Sequence, residues 1–265
     1  MKFNKGESYK CVVPISGGKD SQASLKLALT HYDKSDVLGL FCDTKFEHPL
    51  TYKHVKKMGL LYGIKIITVN AGSVEESCTK NKRFPGGGAR HCTNELKIIP
   101  SKKFYKALAE HQGKGFVVYY GMRSEESAER AKRYNLKVSD EIYEPHEVIA
   151  NYPKYLGKLG VRFRLPIMDW LEKDVFLYIK GEHNPLYDAG FGRVGCFPCL
   201  AGGDKSKEKA FGHDKFGKQQ RIKVSVIEKE TGKSVFTSAG AMQRNNPNQR
   251  SLFDDGSSGC RFCDI

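Results

Sequence analysis

Between residues 9 and 70, short apolar runs alternate with longer segments of helical spacing, and this alternation limits the fold more than any other feature of the chain. "CVVPI", "VLGLFC" and "IKIITV" are branched-rich, continuous apolar runs, the pattern of strands buried on both faces. Between the first two, Leu25, Ala28, Leu29 and Tyr32 recur at i, i+3, i+4 and i+7, one apolar helix face; between the second and third, Tyr52, Val55, Met58 and Tyr62 nearly repeat it. Two successive βαβ units follow. A helical stretch around "NELKIIPSKKFYKALAEH" leads to a fourth strand in "GFVVYYG", and "VRFRLPI" supplies a fifth. The expected fold is α/β, a doubly wound, mainly parallel five-stranded, Rossmann-like sheet with a C-terminal Cys-containing extension.

With 265 residues, 39% of them hydrophobic, the chain can bury a sizeable core. The opening "MKFNKGESYK" lacks the apolar stretch of a signal peptide, and no window approaches the ~18 apolar residues of a membrane span. The expectation is a soluble, cytoplasmic protein without a membrane partner. A net charge of +14 favours polyanionic partners, with a solvated basic surface as the alternative. After residue 200 the chain turns polar and rich in Gly, Asn and Lys, so residues 1–204 are expected to form the main domain and 205–265 a lid or tail packed on it, carrying a CxxC pair. One short helix is expected over "QQRIKVSVIEKETG".

The first strand runs into "ISGGKDS". Two adjacent glycines let the backbone approach a ligand closely, and a helix starting at once aims its free amides and positive dipole end at the same point. An anion belongs there. Ser16, Gly17, Gly18, Lys19, Asp20 and Ser21 form the candidate site: Lys19 adds a full charge, the serines add donors, and Asp20 can cap the helix or hold magnesium through water. The spacing is not that of the common ATPase loop, because Asp20 follows Lys19 where Ser or Thr is required.

"SGGKDS" resembles the pyrophosphate loop of the adenine nucleotide alpha hydrolase (PP-loop ATP pyrophosphatase) superfamily. Within it the chain is most similar to the phosphoadenosine phosphosulfate (PAPS) reductase family, through the ordered blocks "FCDTKFEHPLTYKHV", "RHCTNELKIIP", "GMRSEESAER", "LPIMDWLEKDVFLYI" and "NPLYDAGFGRVGCFPC". The resemblance implies binding of ATP or a related adenine nucleotide with Mg²⁺, and cleavage at the α phosphate to activate an acceptor or sulfur donor whose identity the sequence does not name. It also implies that Asp43 and Thr44, at the end of the second strand, contact the nucleotide; an Asx turn capping the next helix is the alternative there. Arg123, in "GMRSEES", is the candidate second anion contact, with an ion pair to Glu126 or Glu129 as the alternative. Lys19, Asp20 and Arg123 are thus the candidate catalytic residues. Trp170 in "MDW" reads as a core residue at a helix start.

Eight cysteines in a reducing compartment point to metal ligation or redox chemistry rather than disulfides. Cys196 and Cys199 form one CxxC, Cys260 and Cys263 another, and zinc is the generic reading of such pairs. The resemblance implies instead a [4Fe-4S] cluster held in part by a Cys-Cys pair in the block "RHCTNELK". Here His91 occupies the first position of that pair, so Cys92, Cys196 and Cys199 would need a fourth ligand from Cys260 or Cys263. The reductases' C-terminal Glu-Cys-Gly-Leu-His type motif is absent from "SGCRFCDI", which ranks PAPS or adenylylsulfate reduction to sulfite below nucleotide cleavage. A third alternative is a nucleic-acid-binding component of a DNA or RNA sulfur-modification system, with the basic charge carrying the function. Cys11 and Cys42 read as buried packing thiols, and Cys78 as an inert surface thiol. Oligomeric state has no signal in the sequence.

Overall fold

The structure is a computed structural model and describes residues 3–86 and 90–237. The apolar runs form β1 (Cys11–Ile15), β2 (Val37–Asp43), β3 (Lys65–Asn70), β4 (Val117–Tyr119) and β5 (Arg162–Arg164). They lie in one five-stranded sheet of order β3-β2-β1-β4-β5, and every pairing is parallel. The doubly wound α/β expectation therefore holds.

Burial follows this order. β1 and β2 are covered on both faces, which is why they carry continuous apolar sequence; β3 is an edge strand and exposes Lys65, Thr68 and Asn70. Successive side chains of β1 point to opposite faces. Cys11, Val13 and Ile15 pack with Leu25 and Ala28 of α1 (Lys19–His31) and with Val55 and Met58 of α2 (Pro49–Tyr62). Val12 joins the opposite core, with Phe104, Tyr105 and Leu108. A fully buried side chain such as Leu25 contributes about 1.5–3 kcal/mol relative to exposure. Both predicted helix faces are thus used, except that Tyr52 stays 37% exposed and donates its hydroxyl to Asp43 Oδ1 at 2.7 Å.

Beyond β3 the chain forms α3 (Val74–Asn81) and α4 (His91–Thr93), and passes through one wide π turn at Asn94–Ile98 into α5 (Ile99–Gln112). Phe104, Tyr105 and Leu108 of α5 pack on the face opposite α1 and α2, which brings the chain to β4 on the other side of β1. The β1/β4 boundary is therefore the switch point, where chains leave the strand ends in opposite directions and leave a crevice for ligand. Short helices α6 (Ala128–Tyr134), α7 (Pro145–Val148) and α8 (Tyr155–Lys158) precede β5, and α9 (Glu172–Ile179) returns to pack on α1.

The C-terminal expectation needs extending. Instead of one short helix, α10 (Asp204–His213) and α11 (Lys215–Thr231) form a pair. Phe211, Val224, Ile227 and Val235 bury against Phe46, Val74 and Leu96, whereas Ile222 and Val226 on the other side of α11 stay exposed. His48 ties the two parts together. Its Nδ1 accepts from the Leu50 amide at the start of α2, and its Nε2 lies 2.9 Å from Asp214 Oδ2, the residue that caps α11. Cys78 departs from the sequence reading: it is fully buried in this third core, and burial pushes its thiol up to about 12. The polar letters around it are the outer face of α3, which hid an inward-facing position.

Behind the first loop, His54 of α2 is buried with Nε2 2.9 Å from Gln22 Oε1 of α1. Burial, with smaller contributions from Lys57 and His183, lowers its pKa from 6.5 to about 4. The folded value lies below the unfolded one, so the stability of the neutral ring is complete above 6.5 and is lost as pH falls towards 4. Denaturant titrations at stepped pH should show a loss of about 2–3 kcal/mol over that window. The loss should be absent in His54→Gln, and an unchanged slope in that variant would contradict this origin.

Candidate functional site

The site begins where β1 ends. Gly17 adopts φ +76°, and a Cβ there would stand 2.6 Å from Thr51 Cγ2, so the turn needs glycine for conformation and space together. Gly18 is the N-cap of α1 in extended backbone and has no side-chain cap, so the first amides depend on other groups, that of Gly18 on Ser16 Oγ and that of Lys19 on Tyr187. Asp20 does not cap the helix; it sits in the first turn and pairs elsewhere. The loop is braced from within: Ser21 Oγ donates to the Gly18 carbonyl at 2.9 Å and accepts from the Ser16 amide at 3.2 Å. It is braced from outside by the "NPLYD" segment, with Asn184 Nδ2 donating to the Gly17 carbonyl and the Lys19 amide donating to the Tyr187 hydroxyl at 3.0 Å.

Lys19 is 3% exposed. Its Nζ lies 3.0 Å from Glu172 Oε1 and 3.4 Å from Asp20 Oδ2, and it stands over the rings of Phe176 and Tyr187. Arg123, also 3% exposed, pairs with neither Glu126 nor Glu129 through its guanidinium. Its Nε donates to Asp20 Oδ1 at 2.6 Å and its Nη1 to Glu125, while Glu126 takes Arg130. Burial opposes the guanidinium's charge, but Asp20 and Glu125 outweigh it and raise its pKa. The close approach of this segment to the loop depends on Gly121, where a Cβ would lie 2.7 Å from the Asp20 carbonyl oxygen.

The loop borders a cavity of about 430 Å³, large enough for a nucleotide-sized ligand. Ser16, Gly18, Lys19, Asp20, Ser21 and Thr44 line it; Gly17, Asp43 and Arg123 do not, and Asp43 instead borders a separate cleft beside Tyr52 and Val55. Asp43 forms the Asx turn, accepting from the Lys45 amide at 2.8 Å. Thr44 is buried, 2.7 Å from Glu47 Oε1 and 3.3 Å from Cys196 Sγ, and burial raises the pKa of the Glu47 carboxyl. Trp170 is partly buried beside Ile167 and Val175, in agreement with the core reading.

Cys42, Cys92, Cys196 and Cys199 open on the same cavity. Burial raises the Cys92 pKa, with Cys199 adding to the effect, and pushes the Cys196 thiol up to about 12. His91 turns away from the cavity, its Nδ1 2.8 Å from Ser77 Oγ. Among the described residues, no three His, Cys, Asp or Glu side chains are placed to hold one metal ion. Of the five cysteines expected as metal ligands, Cys92, Cys196 and Cys199 share the lining of one cavity, and Cys260 and Cys263 lie outside the described residues. Sequence reasoning missed Glu172, Tyr187, Asn184 and Glu125. Their only trace was membership of the blocks "LEKD", "NPLYD" and "RSEES", which name no partner.

A parallel sheet carrying a glycine-rich, lysine-bearing loop at the carboxyl end of its central strand defines an α/β domain of the adenine nucleotide alpha hydrolase superfamily. Residues 10–201 match the phosphoadenosine phosphosulfate reductase domain, and the chain belongs to that family. Among similar curated proteins, an uncharacterized protein of Methanocaldococcus jannaschii is 33% identical over 193 residues, covering 72% of this chain and 36% of its own length. A phosphoadenosine 5'-phosphosulfate reductase of Vibrio vulnificus is 25% identical over 189 residues, covering 68% of this chain and 64% of that enzyme. Aligned regions span less than half of the first two curated relatives. Among solved structures, the PAPS reductase of Candida auris in a phosphate complex aligns with a TM-score of 0.47 and 18% identity, over 71% of this chain and 82% of the other. No described helix is long and apolar enough to cross a membrane.

Proposed function

We propose that this chain is an enzyme that binds ATP, or a related adenine nucleotide, with its phosphates on the loop Ser16–Ser21 and its nucleoside along Thr44, and cleaves it at the α phosphate to activate an acceptor in sulfur transfer. The observation that carries this reading is the buried Lys19 at the start of α1, on the rim of a 430 Å³ cavity at the switch point of the sheet. Lys19, the loop amides and the helix end would neutralise charge building on the departing pyrophosphate. Asp20 is the residue that would hold a magnesium ion, which supplies charge neutralisation across the phosphate oxygens. Arg123 acts in this reading by fixing Asp20. The division into a nucleotide-binding domain at 1–204 and a lid from 205 belongs to the same proposal, with α10 and α11 closing the cysteine side of the cavity.

The test is pyrophosphate release from ATP by the purified chain with magnesium. Release is expected, and its absence with the α,β-methylene analogue of ATP locates the cut between the α and β phosphates. Phosphate release without pyrophosphate would refute the reading. A second reading, reduction of PAPS or adenylylsulfate, is favoured by the reductases among the curated relatives; it predicts sulfite from the sulfonucleotide in the presence of a dithiol reductant. The cysteines enter the proposal as thiols facing the acceptor side of the cavity. Iron, sulfide and zinc analysis of anaerobically purified protein decides whether they carry a [4Fe-4S] cluster, zinc or neither.

A further inference from the structure

Lys19, the cation of the phosphate loop, already has a directed anionic partner in the fold. Glu172 and Phe176 stand one helical turn apart on α9, and both meet its ammonium, the carboxylate at 3.0 Å and the ring centre at 5.6 Å. The start of α9 is held to the loop by a second chain of contacts. The Glu172 amide donates to Glu125 Oε2 at 2.7 Å, Glu125 pairs with Arg123, and Arg123 Nε donates to Asp20 Oδ1 at 2.6 Å. The Glu172 carboxylate is therefore aimed at Lys19 by its own backbone. The two partners differ in freedom: the Glu172 side chain is 50% exposed and the Lys19 side chain 4%. When a stronger anion reaches the loop, the glutamate can turn into water, whereas the lysine must stay.

We propose that Glu172 is the built-in counter-ion of the phosphate loop, exchanged for phosphate oxygens when a polyphosphate binds and returned to Lys19 when pyrophosphate leaves. This rests on the nucleotide reading above. The exchange keeps the buried ammonium neutralised in both states, which avoids an unpaired charge at any stage. It also lowers the affinity of the loop for pyrophosphate, since every phosphate oxygen on Lys19 displaces a carboxylate. Glu172 thus acts as a positioning residue for product release.

The test is calorimetric binding of inorganic pyrophosphate, at fixed magnesium, to the full chain and to Glu172→Gln, Glu172→Ala, Lys19→Ala and the Lys19→Ala/Glu172→Gln double variant. Both neutral replacements should bind pyrophosphate roughly three- to tenfold more tightly than wild type, the range for removing a partly exposed competing ion pair. The gain should vanish in the Lys19→Ala background. A purely structural role for Glu172 would displace α9 and weaken binding, so equal or weaker binding in both single variants overturns the counter-ion assignment while Lys19→Ala still reports on the loop. A gain that persists without Lys19 overturns the pairing. If wild type binds no pyrophosphate, or binds it as Lys19→Ala does, the nucleotide reading itself fails and takes this inference with it.

Discussion

Lys19→Ala is expected to weaken ATP binding by roughly a hundredfold and to end measurable pyrophosphate release. A charge-assisted contact to phosphate contributes about 1.5–3 kcal/mol, the first part of the loss. The rest comes from what the substitution leaves behind. Glu172 Oε1 and Asp20 Oδ2, at 3.0 and 3.4 Å from Nζ, lose their shared cation and turn net negative charge towards the incoming phosphates. Phe176 and Tyr187, which flank the ammonium, lose a packed neighbour but keep their own contacts with each other at 5.3 Å, so the fold should survive. Isothermal titration with ATP, alongside a thermal melt to verify folding, checks this. A folded variant that binds ATP as wild type does would remove the loop as the phosphate site.

Arg123→Ala should instead act first on stability. The guanidinium is 3% exposed and joins two carboxylates, Asp20 on α1 and Glu125 beside α9, so its removal leaves Glu125 without its cation and Asp20 with only Lys19, at 3.4 Å. Breaking a buried pair by removing one partner costs about 3–5 kcal/mol, and the 43% exposure of the Glu125 side chain places this case at the lower end. For a chain of this size, about 3 kcal/mol lowers the unfolding midpoint by about 6–12 °C. A midpoint within about 2 °C of wild type would mean that Arg123 is not the internal clamp described here. Arg123→Lys should recover only part of the loss, because an ammonium cannot serve both carboxylates with the geometry of the guanidinium fork.

Much of the fold was legible because its signals are local. Apolar runs with continuous rather than alternating pattern mark strands covered on both faces, and β1 and β2 are so covered. The period of Leu25, Ala28, Leu29 and Tyr32 marks the face of α1, and Leu25 and Ala28 are fully buried. The helix expected over residues 219–232 is α11, and α10 was missed because only Ala210 and Phe211 mark its buried face, Phe211 lying in one core with Phe46, Val74 and Leu96. Cys78 misled because the buried face of α3, Val74, Ser77 and Cys78 at i, i+3 and i+4, includes only one aliphatic residue. At Asp43 the letters left nucleotide contact and an Asx turn open; the Lys45 amide makes the turn, while the cap of the next helix is His48.

By itself, the sequence determined that the chain builds a parallel sheet and ends its first strand in a glycine-rich, lysine-bearing bend, since both follow from residue types within a few positions of one another. Only the tertiary structure decided which charges face each other there. Arg123 serves Asp20 and Glu125 rather than the open cavity, and Lys19 is matched by a glutamate from a distant helix. The reason is physical: backbone preference and hydrophobic period are properties of neighbours along the chain, whereas the pairing of buried charges depends on which elements the fold brings within a few ångströms.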